Sequence, residues 1–427
     1  MNTPLEAAPP VLRLPPAKRT PSKAVSLAER LTGLSARDNT PIAIVGLGHG
    51  ATHWVAATFY LLLPNLSTAL GLDYAATGLL VSVLHVSAFV ANFGSGPLTD
   101  MTGRRVALQV ASLLMGAAAL ALLGFAGGLL AVAALVAVIG ASNNLWHPPA
   151  ISYLSARFPA QRGWALSVHA LGAGLGDAIA PLAAGAMLAA MAWEGVALYS
   201  CLPVLAVAAL LAMFLGRAPA ASHGEAGKGV DFGQYLAGIA AVVKDRAVLG
   251  LCLMSAFRAM TQNGLLVFLP LYLAHEMEVS PLMMGVALAA LQVGGLIATP
   301  IAGRLSDRVG RRQVVLAGLG VSTLAIAALT LLGNEISFIA GVSVLGFALY
   351  AIRPVVHSWM MDLTPSHLGG SATSLMFGAQ TGLSILAPVI GGIVADAYGL
   401  VVTFYVLAAS MLVTNLIAWS LPNAKRA

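Results

Sequence analysis

Gly96-Pro-Leu-Thr-Asp-Met-Thr-Gly-Arg-Arg105 and Gly303-Arg-Leu-Ser-Asp-Arg-Val-Gly-Arg-Arg312 are two copies of one pattern, about half a chain apart. Each is a short polar hairpin between long apolar stretches. The surrounding chain of 427 residues is 59% hydrophobic and only 9% charged. A water-soluble domain carries roughly a quarter charged residues, so lipid is the main solvent here. Apolar runs recur from residue 40 to residue 421, and about 20 residues suffice to cross a bilayer.

Working outward from the hairpins, the runs read as spans over 40–65, 75–97, 106–127, 129–153, 163–190 and 193–215. A second set covers 248–274, 281–303, 313–332, 336–360, 370–394 and 400–421. The fold expected is all-α and integral to the membrane, with twelve helices in two six-helix bundles over 39–216 and 247–422. A polar linker, 217–246, joins them. Residues 1–38 are rich in proline and basic side chains. They lack the apolar core of a signal peptide and read as a disordered tail, as does the short end 423–427.

Lysine and arginine fix the expected orientation. They occupy both hairpins, the connection around Arg157 and Arg162, the linker and both termini. The alternate connections hold Asp73, Glu194, Glu276, Glu278, Glu335 and His275, and neither lysine nor arginine. The positive-inside rule then puts both termini in the cytoplasm.

The repeated Gly-x-Leu-x-Asp-x-x-Gly-Arg-Arg pattern resembles the loop between the second and third helices in each half of the major facilitator superfamily (MFS). The resemblance covers nearly the whole chain. It implies the MFS fold of two pseudo-symmetric bundles rocking about a central cavity. It also implies secondary transport of a small molecule rather than enzyme activity, no cofactor, and a monomer in a bacterial-type inner membrane. Gly96, Asp100, Gly103, Arg104 and Arg105, with Gly303, Asp307, Gly310, Arg311 and Arg312, are then residues of a conformational latch. Physically, a carboxylate favours a helix N-terminus, arginines pair with acids across the seam, and Gly103 and Gly310 permit the turn. The alternative is that the arginines only set topology.

Further agreement between the halves supports the duplication. Pro159–Gly163 matches Pro365–Gly369, and His147-Pro148 matches Arg353-Pro354. Such halves place a binding site at their interface near the membrane midplane.

Ionisable groups at membrane depth are functional candidates by default. The first half offers His49, His53, His85, His147, His169 and Asp177. His49 and His53 are four apart and share a helix face. That spacing also suits a metal, but with no His-Glu-x-x-His pattern or cysteine set no metal site is expected. His147 follows Asn143 and Asn144 and precedes two prolines, which should open the helix and free carbonyls beside a cavity. Asp177 is the acid expected deepest in this half, and with His169 it is the candidate for proton coupling.

The second half offers Arg258 and Arg353, which need an anion, an acid or water at membrane depth. Gln262, Asn263, Gln292, His357 and Gln380 could add neutral hydrogen bonds. The candidate substrate residues are therefore His49, His53, Asn143, Asn144, His147, Arg258, Gln262, Gln292, Arg353 and His357. Trp146 and Trp359 fit either a cavity wall or plain packing.

Two stretches refine the resemblance. Gly174-Leu-Gly-Asp-Ala-Ile-Ala-Pro-Leu-Ala-Ala-Gly185 resembles the fifth-helix stretch of MFS antiporters, through Gly176, Pro181 and Gly185. Close packing explains small residues there equally well. Val138–Pro149 resembles the fourth helix of fosmidomycin-resistance-type exporters. These resemblances imply export of an amphipathic or anionic compound in exchange for protons. The fourth helix lacks the arginine many such antiporters use, which moves the coupling onto Asp177 and the histidines. Proton-coupled uptake of an organic anion is the alternative, and a non-transporting membrane receptor or enzyme is a remote one. No Gly-x-x-x-x-Gly-Lys-Ser/Thr loop occurs, which argues against ATP as the energy source. The basic residues are placed as topology signals, and no nucleic-acid partner is expected.

Overall fold

Lipid offers backbone groups no hydrogen-bond partners, so a spanning chain must satisfy them within helices. A computed structural model of the protein describes residues 29, 33–216, 240, 243–364 and 368–422. Most of the tail 1–38, most of the linker and the end 423–427 lie outside these residues, as do Pro365, Ser366 and His367; Ala36–Asp38, expected as tail, instead open the first helix, capped by Ser35.

Twelve spanning helices are described: α1 (Ala36–Leu70), α2 (Tyr74–Thr102), α3 (Arg105–Leu123), α4 (Leu129–Arg157), α5 (Arg162–Leu188), α6 (Trp193–Leu215), α7 (Arg246–His275), α8 (Pro281–Val309), α9 (Arg311–Leu329), α10 (Glu335–Leu363), α11 (Gly369–Tyr398) and α12 (Leu400–Ser420). The first six and the last six each form a bundle. α1 packs on α5 and α2 on α4; α7 packs on α11 and α8 on α10.

Local signals set the helix starts in both halves. Asp73 accepts the Ala76 amide at 2.7 Å to begin α2. Ser280 caps α8, with Pro281 in its first turn. Both helices end at hairpin glycines with positive φ, Gly103 at 62° and Gly310 at 107°. Only glycine adopts such angles without strain.

Ten of the twelve helices are long and apolar enough to cross a membrane by composition. The two that fall short are α1 and α7, which hold His49 and His53, and Arg258, Gln262 and Asn263. These helices lead the two bundles and meet at the seam. Their polarity is affordable because neighbouring helices, not lipid, cover it.

α4 is less interrupted than the sequence suggests. One turn residue, Trp146, separates its two segments, and its φ of −65° and ψ of −43° remain helical. The prolines still deprive the Asn144 and Leu145 carbonyls of their usual amide partners.

Close glycine contacts hold α1 to α5. A Cβ on Gly172 would collide with the Gly46 carbonyl, and one on Gly176 with the Gly50 carbonyl. Between bundles, α5 meets α8 and α2 meets α11. A Cβ on Gly285 would strike the Pro181 carbonyl, and one on Gly78 the Pro388 carbonyl. Pro181 and Gly185 of the fifth-helix stretch thus belong to the seam, whereas Gly176 packs inside its own bundle.

The seam is closed at the end opposite the motif hairpins. There Asp396 of α11 accepts the backbone amides of Tyr74 and Ala75, each at 2.8 Å, across the two bundles. The Tyr74 hydroxyl lies 3.2 Å from His275 Nδ1. At the hairpin end, added Cβ atoms on Gly96 and Gly303 would meet nothing, and among the described residues no hydrogen bond or ion pair joins the two bundles there.

Candidate functional site

A cavity of about 230 Å³ lies between the bundles, walled by α1, α2, α4 and α5 on one side and α7, α8 and α10 on the other. His53, Asn143, Asn144 and Asp177 line the first wall; Gln262, Gln292 and Arg353 line the second. Seven of the candidates chosen from sequence therefore meet at one place. His85, Tyr60, Asn263 and Tyr350 complete its polar lining. The tyrosines were not singled out from sequence, because a tyrosine in an apolar run carries no periodic signal.

Charge is divided between the walls. His53 Nδ1 lies 3.0 Å from Asp177 Oδ1, and both side chains are a quarter exposed. Arg353 is exposed to the cavity and forms no ion pair among the described residues. A carboxylate already held by an imidazole thus faces a guanidinium free to take an anion.

Arg258 does not share that position. Its side chain is 3% exposed, and Nη1 donates to Gln262 Oε1 at 2.8 Å. It lies behind the wall, bonded to a cavity amide. His357 is also set back, with its ring 5.2 Å from that of Phe377. The cavity lining instead contains Arg353, four residues earlier on α10.

His49, His147 and His169 lie beside the cavity within the first bundle. The His49 and His169 rings stack with centroids 3.8 Å apart. His49 Nδ1 is 2.7 Å from the His169 carbonyl, and His147 Nδ1 is 3.0 Å from the Asn143 carbonyl. Trp146 is fully buried and donates Nε1–H to His169 Nε2 at 3.1 Å. That bond engages His169 as an acceptor. Trp146 and Trp359, both with no exposed surface, are packing residues.

The hairpin residues make contacts inside their own bundles. Arg311 pairs with Asp307 and, at 3.1 Å, with Asp362 at the end of α10. Arg312 donates to the Trp419 carbonyl. Asp100 and Arg104 are exposed. Among the described residues no ion pair crosses the seam here.

The family description Major Facilitator Superfamily matches residues 45–263 and 251–427. The multidrug efflux pump Tap of Mycolicibacterium fortuitum is 26% identical over 89% of this chain and 93% of its own. The multidrug resistance protein MdtG of Proteus mirabilis is 25% identical over 80% of this chain and 85% of its own. Among solved structures, that of the nucleoside transporter NupG superposes with a TM-score of 0.77 at 13% identity, covering 89% of this chain and 99% of that one. This likeness concerns the fold. The duplicated hairpins, the two six-helix bundles and the cavity between them are accounted for together: this integral membrane protein belongs to the Major Facilitator Superfamily and is a secondary transporter.

Proposed function

We propose that the protein exports a small amphipathic or anionic compound in exchange for protons. The observation that carries this reading is the cavity between the bundles, where unpaired Arg353 faces the His53–Asp177 pair. Arg353 attracts the anionic part of the solute, and Gln262, Gln292 and the two asparagines hydrogen-bond its polar groups. Apolar lining such as Leu84, Ile139, Leu266 and Leu288 takes the remainder. Asp177 carries the exchanged proton, with His53 holding its ionised form.

The carrier alternates between the form described, closed at the end opposite the hairpins, and one closed at the hairpin end. With the basic loops in the cytoplasm of a bacterial-type cell, the described form accepts solute from inside. The efflux named for Tap supports the outward direction.

Everted membrane vesicles with an acidic lumen and a pH-sensitive dye test the reading. A transported phosphonate or organic anion should dissipate the gradient in the parent protein and leave it intact in Asp177→Asn. Further acidification on adding solute would establish symport instead. Dissipation that persists in Asp177→Asn would remove that residue from coupling.

A further inference from the structure

The three imidazoles of His49, His53 and His147 share an arrangement that neither solute binding nor packing explains. One ring nitrogen from each lies within 4.8 Å of the other two. His49 and His53 stand one turn apart on α1, and His147 joins them from the proline-marked segment of α4. Their rings meet edge to face, His49 with His53 at 4.8 Å between centroids and with His147 at 5.1 Å.

The hydrogen bonds on the far side of these rings are alike. Nδ1 of His49 meets the His169 carbonyl, Nδ1 of His53 meets the Asp177 carboxylate, and Nδ1 of His147 meets the Asn143 carbonyl. An oxygen acceptor at Nδ1 puts the proton there and leaves Nε2 with its lone pair. All three side chains are thus fixed in one tautomer, each with an unprotonated Nε2. A metal-ligating histidine is held this way, by a carboxylate or carbonyl on its other nitrogen.

His169 differs. Its Nε2 already accepts from Trp146, and it serves by stacking on His49 and supplying the carbonyl that anchors it. His49 is 6% exposed, and its Nε2 is buried without a hydrogen-bond partner. Burying a polar nitrogen unpaired is costly. In a purely hydrogen-bonded cluster it would meet a donor.

We propose that His49, His53 and His147 bind a divalent transition-metal ion through their Nε2 atoms. Three neutral imidazoles suit zinc, cobalt, nickel or copper, and not the hard cations magnesium and calcium. Tetrahedral zinc with Zn–N bonds of about 2.0–2.1 Å needs nitrogens roughly 3.4 Å apart, so the rings, which now bring one nitrogen each within 4.8 Å, draw together on binding. His53 lines the cavity and gives the ion a route in. Asp177 behind His53 offsets part of the ion's charge. Three protein ligands leave a fourth position for water or a solute atom. The sequence hid the site because His147 lies far along the chain from the pair on α1.

The test is Co²⁺ titration of the purified, tag-free full-length protein in lipid nanodiscs, without a solute or a gradient. One Co²⁺ per chain should develop the visible d–d absorption of a tetrahedral nitrogen site, and Zn²⁺ should displace it. Mg²⁺ should not. His53→Ala and His147→Ala should each abolish the absorption and weaken Zn²⁺ binding by at least roughly 100-fold. Asp177→Asn should weaken binding by about 10–100-fold without abolishing it. His49→Ala removes a packed ring, so the two less buried positions are the decisive ones. Their thermal midpoints without metal report whether they fold. No absorption with the folded parent, or absorption retained in folded His147→Ala, would overturn the site. Because no transport is measured, this result is independent of the direction and coupling proposed above.

Discussion

The two bundles share a helix plan and diverge in what they present to the cavity. Both place primary amides there, but the first adds imidazoles and a carboxylate and the second a guanidinium. The contrast is sharpest at the corresponding sites His147-Pro148 on α4 and Arg353-Pro354 on α10. In both, proline loosens the backbone beside a long polar side chain. In one the side chain turns into its own bundle against the Asn143 carbonyl, and in the other it faces the cavity. The two halves therefore share the position of the proline, while the residue beside it differs in what it presents.

The largest expected effect tests this contrast directly. Arg353→Ala should lower transport of an anionic solute by at least about 30-fold, since losing a desolvated charge contact costs about 2–5 kcal/mol. The thermal midpoint should hold, and Arg353→Lys should recover part of the rate. Full transport by Arg353→Ala would mean that the second wall does not recognise charge.

The next variants ask whether the seam is closed at one end only. Gly78→Ala puts a methyl group into the Pro388 carbonyl and should disfavour the described form by about 1–3 kcal/mol. Cysteine probes at that end should become more accessible. Unchanged labelling would show that the α2–α11 contact relaxes freely. Asp396→Asn weakens the acceptor for two backbone amides and should shift the same equilibrium by about 1–2 kcal/mol, roughly tenfold. Asp307→Asn should have the smallest effect. Its carboxylate is 64% exposed, and Arg311 keeps Asp362, so the loss in this form is below about 0.5 kcal/mol. A labelling change as large as that of Asp396→Asn would show that Asp307 acts mainly in the other form.

Much of the fold was legible because lipid leaves few choices: helix lengths follow bilayer thickness, and the repeated hairpins mark both halves. The least apolar helices, α1 and α7, proved to be central, since polarity in a membrane chain must be covered by protein. Site residues were legible as types and less so as positions. Arg258 and Arg353 look equivalent in sequence, yet helix phase buries one behind Gln262 and gives the other to the cavity. Asp396 reads as a helix-end acid; its role depends on α2 arriving from the other bundle. The common tautomer of three histidines depends on acceptors that α5 brings to His49 and His53; only the Asn143 carbonyl, four residues before His147, follows from linear spacing.

The contact made by Asp396 also has an evolutionary consequence. The carboxylate recognises main-chain amides of α2, so replacing the side chains of Tyr74 or Ala75 leaves its acceptors supplied unless the newcomer is proline, which has no N–H. On α11, by contrast, the interaction depends on one side chain. Drift at this closure is therefore asymmetric: one partner can vary in sequence while the other is constrained, although both stand at the same boundary.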